Sequence, residues 1–227
     1  MIGILDSGDG GLATLRELRK KRPNLDAVFF ADRDNAPYGT KTKKEITRLA
    51  AKGINKLLNA GAEKVLIACC TASTVHSLLP TVLRERSLPI IEPTAKEAAR
   101  MTVNGRVGII ATKATSASGA FQKALSKFEN VDTVFSEPLQ ELVFLIESGE
   151  HDGELQEKSR KWLFDKLYPF KEKKIDTLIL GCTHFGHLER EISFILPGVK
   201  IVNSAKEGAY EIIKSASPNG RGSTLYL

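Results

Sequence analysis

Lys64-Val-Leu-Ile-Ala-Cys-Cys-Thr-Ala-Ser73 is a short apolar run that stops at Cys69 and Cys70 and gives way at once to small hydroxyl residues. A run of this length is too short for a helix and reads as a buried strand, with Thr71 or Ser73 expected to cap the helix that follows. A thiol is thereby placed at the carboxyl end of a strand. There the amides and dipole of the next helix are expected to lower its pKa, because they favour thiolate over thiol. The arrangement recurs at Asp176-Thr-Leu-Ile-Leu-Gly-Cys-Thr-His-Phe185, where Cys182 ends a second apolar run. Two thiols ending two similar units point to a paired function.

Further strand-like runs at Ile2–Leu5, Ala27–Phe30, Val107–Ala111 and Val199–Val202 alternate with stretches of helical period. The clearest helix runs from about Lys43 to Ala60, with Ile46, Leu49, Ala50, Ile54, Leu57 and Leu58 on one face and polar residues between them. Others are expected from Leu12 to Lys21, Ala95 to Thr102, Ala117 to Phe128, Leu139 to Glu147, Leu155 to Tyr168 and Glu207 to Ser215. This alternation implies an α/β fold of open, mainly parallel sheets covered on both faces. Boundaries near Pro89–Pro93 and near Asn203 divide the chain into two α/β domains, 1–93 with 204–227, and 94–203. Ligands bind beyond the carboxyl ends of strands in such sheets. Asp6, Cys69, Thr112 and Cys182 all end strands, so facing domains would gather them in one cleft.

With 227 residues, 42% hydrophobic and 26% charged, the chain has room for one large or two small domains. No run approaches the roughly 18 apolar residues of a membrane span. The amino terminus lacks the basic and long apolar regions of a signal peptide, so no membrane association and a cytoplasmic location are expected. Three cysteines at spacings that match no disulfide framework agree with a reducing compartment. The net charge of +6 arises from 33 Lys and Arg interspersed among 27 acids. Even the densest cluster, Lys171-Glu-Lys-Lys174, reads as a solvated face and not as a nucleic-acid site. Such a charge can help gather a small acidic substrate by steering.

Glycines directly after a strand, in Leu5-Asp-Ser-Gly-Asp-Gly-Gly-Leu12, permit a tight turn and close approach of backbone to a ligand. With neither a Walker lysine nor the spacing of a dinucleotide fingerprint, the segment is not a nucleotide loop. Asp6 is either a cap or a site acid. In the turn-forming loop Asp32–Thr40, Pro37 and Gly39 either belong to a surface connection or fix backbone N–H groups that bind a carboxylate. Free cysteines usually pack as small hydrophobes, and position at strand ends beside Thr and Ser is what raises a functional role here. A zinc site of Cys69, Cys70, Cys182 and His184 is disfavoured, because adjacent cysteines and a Cys-x-His pair depart from the usual ligand gaps. His184, two residues after Cys182, has a better claim than His187 on the following helix, or than His76 and His151, which read as surface or packing residues. Glu147 ends an apolar helix before Ser148-Gly149 and is equally a solvated helix end.

In combination, five segments carry a family resemblance: Asp-Ser-Gly-x-Gly-Gly-Leu at 6–12, Pro-Tyr-Gly at 37–39, Ala-Cys-x-Thr-Ala-Ser at 68–73, Ala-Thr-x-Ala-Thr at 111–115 and Leu-Gly-Cys-Thr-His at 180–184. In their order and spacing the chain resembles the glutamate racemases, within the cofactor-independent aspartate/glutamate racemase superfamily, over nearly its whole length. The resemblance implies two similar α/β domains with the active site between them, no cofactor and no metal. It also implies a two-base mechanism in which one thiolate removes the α-proton of glutamate and the other thiol returns a proton on the opposite face. Cys69 and Cys182 would be that pair, with Asp6 assisting the first and Glu147 and His184 the second. Ser7, Tyr38, Gly39, Cys70, Thr71, Thr112, Thr115 and Thr183 would line the substrate. The product would be D-glutamate for peptidoglycan; a homodimer is compatible with the sequence.

Three departures stand out. Cys70 replaces an Asn usual in the family and loses an amide toward substrate. The second motif continues Phe185-Gly-His187 in place of Tyr-Pro-Leu. Asn203 replaces a common Asp, and the chain ends before the usual last strand and helix. Two other functions compete: a racemase for aspartate or a related acid, and a binding protein that keeps the cleft without turnover. A thiol redox role lacks a Cys-x-x-Cys pair.

Overall fold

Ile2-Gly-Ile-Leu-Asp6 is buried along its whole length and forms the middle strand of a parallel sheet, which sets the scaffold for the first thiol. The computed structural model describes residues 1–216 and 220–227. Nine strands occur among them: β1 (Ile2–Asp6), β2 (Ala27–Ala31), β3 (Lys64–Ile67), β4 (Ser87–Pro89), β5 (Arg106–Ala111), β6 (Thr133–Pro138), β7 (Thr177–Gly181), β8 (Lys200–Asn203) and β9 (Thr224–Tyr226). They make two sheets, ordered β4-β3-β1-β2-β9 and β6-β5-β7-β8. Every pairing is parallel. The chain is therefore α/β with two open parallel sheets, and its last described strand returns to the first sheet.

Alternation along the strands sorts side chains between cores, since successive residues face opposite sides of a sheet. Ile2, Ile4 and Leu66 join a core that also holds Val107, Ile109 and Ile179 of the second sheet. Leu5, Val65 and Ile67 face the other way and pack under the helix Lys43–Asn59 through Ile46, Leu49, Ile54 and Leu57. That helix starts on a capping box: the Glu45 N–H donates to Thr42 Oγ1 and the Thr42 N–H donates to Glu45 Oε2. A third core covers the far face of the second sheet with Leu142, Leu163, Leu167 and Phe170.

The first of these cores joins both sheets through the helices Gly11–Lys21, Ile91–Met101 and Ser204–Lys214. Each fully buried Leu, Ile or Phe is worth about 1.5–3 kcal/mol. An exposed ion pair such as Lys127–Glu92 is worth about 0–1 kcal/mol. Apolar packing therefore sets how the sheets stand to one another.

Three expectations change. The stretch Ala117–Phe128 is not one helix: Gly119, at φ +64°, separates Lys113–Ser118 from Ala120–Leu125. The helix expected at Ala95 begins at Ile91, because Pro93 falls in the first turn, where a missing N–H leaves no bond unmade. β4 and β6 have no counterpart among the expected strands. Both are edge strands, one of three residues and the other without a single fully buried side chain, so neither carries an apolar run.

Register brings the strand ends level. Leu5 pairs with Ile67 and Asp6 with Ala31 in one sheet, and Ala111 pairs with Gly181 in the other. Asp6, Cys69, Thr112 and Cys182 thus leave the sheets at the same height.

Candidate active site

Cys69 occupies the N-cap position of the short helix Cys70–Ser73, and its Sγ accepts a long hydrogen bond from the Ala72 N–H at 3.5 Å. The cap is therefore the thiol itself, not Thr71 or Ser73. Ser73 instead bonds the chain on either side, donating to the Ile67 carbonyl and accepting from the Ile90 N–H. Ser7 Oγ lies 3.2 Å from Cys69 Sγ and donates to Asp6 Oδ1 at 3.5 Å. Asp6 Oδ1 also accepts from the Gly8 N–H at 3.0 Å, and Asp6 Oδ2 accepts from Thr183 Oγ1 at 3.1 Å. Asp6 is thus both a cap of its loop and a link to the second sheet's residues.

Cys182 follows β7 directly and lies 3.7 Å from His184 Nδ1. The opposite ring nitrogen of His184 is 3.3 Å from Glu147 Oε1, outside hydrogen-bond geometry, and the two form an ion pair when the imidazole is protonated. Each thiol therefore has its own pair of polar groups: Ser7 and Asp6 for Cys69, His184 and Glu147 for Cys182.

Thr71, Thr112 and Thr115 form a triangle of hydroxyls 2.9–3.0 Å apart, joining the helix after Cys69 to the one after β5. Tyr38 is buried and donates to Asp32 Oδ2 at 2.6 Å.

One cavity collects these groups. Ser7, Tyr38, Gly39, Cys69, Cys70, Thr71, Thr112, Glu147, Cys182, Thr183 and His184 line it, with only about 20 Å³ of free space, enough for roughly one water. Asp6 and Thr115 stand behind the wall, the first bonded to Thr183 and the second to Thr112. A larger groove of about 740 Å³ beside Arg16, His187 and Arg190 holds none of the thiols and lies apart from this chemistry. Among the described residues, no group of three or more His, Cys, Asp and Glu is arranged to hold a metal ion.

Two glycines of the first motif act by leaving space. A Cβ on Gly10 would stand 2.7 Å from His184 Nδ1 and inside contact with Thr183 Oγ1, and a Cβ on Gly11 would meet the Asp6 Cβ at 2.6 Å. Their absent side chains let the second sheet's loop approach the first.

Electrostatics reverses one expectation. Burial pushes the Cys69 thiol up to about 11, and the neighbouring Asp6 adds to this against the hydrogen bonds from Ser7 and Ala72. Cys182 is raised well above the usual thiol range, first by burial and then by Cys70. The short helix after Cys69 supplies one long N–H contact, too little to outweigh desolvation. Burial also raises Asp6, against His184 and the bonds from Gly8 and Thr183. His184 is raised although burial opposes it, because Glu147 and Asp6 favour its charged form.

Asn203 does what an Asp could not. Its Oδ1 accepts from the Ala205 N–H while its Nδ2 donates to Glu189 Oε2 at 2.8 Å, fixing the start of Ser204–Lys214. Gln140 and Val143 also line the cavity, and nothing in the motifs marks them. Their signal was available: they lie seven and four residues before Glu147 on one helix and so share its face.

A family model described as Asp/Glu/Hydantoin racemase matches residues 13–212. The glutamate racemase of Aquifex aeolicus is 38% identical over 225 residues, covering 98% of this chain and 85% of the relative. The crystal structure of a glutamate racemase isoform from Bacillus anthracis superimposes with a TM-score of 0.86 at 30% identity, over 95% of this chain and 80% of that one. A glutamate racemase from Francisella tularensis in complex with D-glutamate gives a TM-score of 0.86 at 28% identity, over 99% and 86%.

Proposed function

The chain belongs to the Asp/Glu/hydantoin racemase family and is an isomerase, an amino acid racemase; from that premise we propose that it interconverts L- and D-glutamate by proton transfer between Cys69 and Cys182. The observation that carries this is the convergence of two thiols, from the ends of strands in different sheets, on one small cavity. The domains are 1–93 with 204–227, and 94–203, a division supported by the membership of the strands in the two sheets. Among the described residues all three cysteines are free, which suits a reducing cytoplasm. The D-glutamate formed there serves peptidoglycan synthesis.

In one direction the Cys69 thiolate takes the α-proton and becomes a thiol. The electron pair left on the α-carbon delocalises into the α-carboxylate, and the Cys182 S–H delivers its proton to the opposite face, leaving a thiolate. The reverse reaction exchanges the roles. No electron sink is available from a cofactor in this scheme, so fixed donors around the carboxylates must hold the developing charge. The raised thiol pKa values act in two directions: the thiolate, once formed, is a stronger base toward a weak carbon acid, but little of it is present at neutral pH. Forming it requires an acceptor. The path from Cys69 through Ser7 to Asp6 is one such acceptor, and His184 in its neutral form, backed by Glu147, is the other beside Cys182. The cavity of about 20 Å³ is too small for an amino acid, so the cleft opens to admit substrate and closes to expel water.

Proton exchange in heavy water tests the substrate. Wild type should place deuterium at the α-carbon of L- and D-glutamate; exchange into aspartate alone would overturn the glutamate assignment.

A further inference from the structure

Gln140, the first residue of the helix Gln140–Glu147, is 2% exposed, and among the described residues nothing hydrogen-bonds either its Nε2 or its Oε1. Buried side-chain amides are almost always paired, because an unmade bond forfeits the full desolvation cost of the group. This amide lines the cavity that holds the two thiols. Its oxygen lies against Gly39, where a Cβ would collide with it and would stand 2.9 Å from the Thr112 Cβ. A glycine on one wall thus leaves room for an unpartnered amide from the other.

The charge inventory of the lining shows what that amide can do. Neither Lys nor Arg is among the residues lining the cavity. An acidic amino acid brings two carboxylates, and the side-chain N–H donors in the lining are Gln140 and His184, whose Nε2 also lacks a hydrogen bond but faces Glu147 Oε1 at 3.3 Å and whose Nδ1 lies 3.7 Å from Cys182. Resting on the racemase assignment above, we propose that Gln140 is a substrate-binding residue whose Nε2–H donates, from the second sheet's side, to a carboxylate of the acidic amino acid.

The test separates binding from turnover and stability. In Gln140→Leu and Gln140→Met, calorimetry with L-glutamate should show affinity weakened about ten- to hundredfold, the usual loss for a hydrogen bond to a charged group. Without ligand, the variants should melt at or above the wild-type temperature, since an unpaired buried amide has been replaced by an apolar group of similar size. A Kd within twofold of wild type in whichever variant folds overturns the proposal, and so does a wild type that binds neither L-glutamate nor L-aspartate. Exchange of the α-proton is read separately. A wild type that binds through Gln140 but exchanges nothing refutes the proposed reaction and supports the binding role; turnover with unchanged Kd refutes Gln140 alone.

Discussion

Gly10 stands at φ −55° and ψ −32° immediately before the helix Gly11–Lys21, a conformation open to any L-residue. On backbone grounds alone, Gly10→Ala should stabilise the protein by about 0.4–1 kcal/mol through the unfolded chain. The surroundings decide otherwise. The new Cβ would lie 2.7 Å from His184 Nδ1 and within contact of Thr183 Oγ1. His184 is held between Glu147 at 3.3 Å and Cys182 at 3.7 Å, and Thr183 is held by Asp6 at 3.1 Å, so neither can step aside without breaking a contact. Overpacking costs about 1–3 kcal/mol, which leaves a net destabilisation of up to about 2.6 kcal/mol after the backbone gain. For a chain of this size, that lowers Tm by up to roughly 10 °C. Activity should suffer more, because a displacement near 1 Å at a reacting group can cost about 10²-fold. Thermal unfolding and a racemisation assay on the same preparation measure both. A variant that melts at or above wild type and keeps kcat within twofold would refute the claim that Gly10 exists to admit the loop of the second sheet.

Asp6 is raised by burial, so between its ordinary value of 3.8 and its folded value the native state holds a proton that the unfolded chain has released. Stability falls as pH rises through that window, and Asp6→Asn should raise Tm at neutral pH, the gain fading as pH approaches 3.8, while racemisation drops by at least tenfold; thermal unfolding against pH checks the sign. His184 is raised toward its charged form by Glu147 and Asp6 over the opposing effect of burial, so its contribution is fully present below 6.5 and is lost as pH climbs through the folded value. Glu147→Gln should therefore lower Tm below pH 6.5 and converge with wild type in alkaline buffer, as a parallel melting series would show.

The parts of the fold legible beforehand were those where burial on both faces writes a continuous apolar run: β1, β2, β3, β5 and β7 all begin or end within a residue or two of such a run. β6 was illegible because its residues are half-exposed at a sheet edge, where mixed side chains are tolerated. The convergence of Cys69 and Cys182 could be read from strand ends alone. Their protonation could not: the expected lowering came from position along the chain, whereas the rise comes from desolvation by residues remote in sequence. Gly10 shows the same limit. Its motif signalled a close approach, but not that the approaching group would be His184 from the loop after β7 of the second sheet. Gln140 was hidden because a polar residue opening a helix ordinarily faces water.

The most direct measurement is a crystal structure with D-glutamate bound. The two-thiol account predicts the α-carbon between Cys69 Sγ and Cys182 Sγ, on opposite faces and each within about 3–3.5 Å, the separation of a near-attack geometry. A ligand held elsewhere, or an α-carbon approached by both sulfurs from one side or by only one of them, would contradict it.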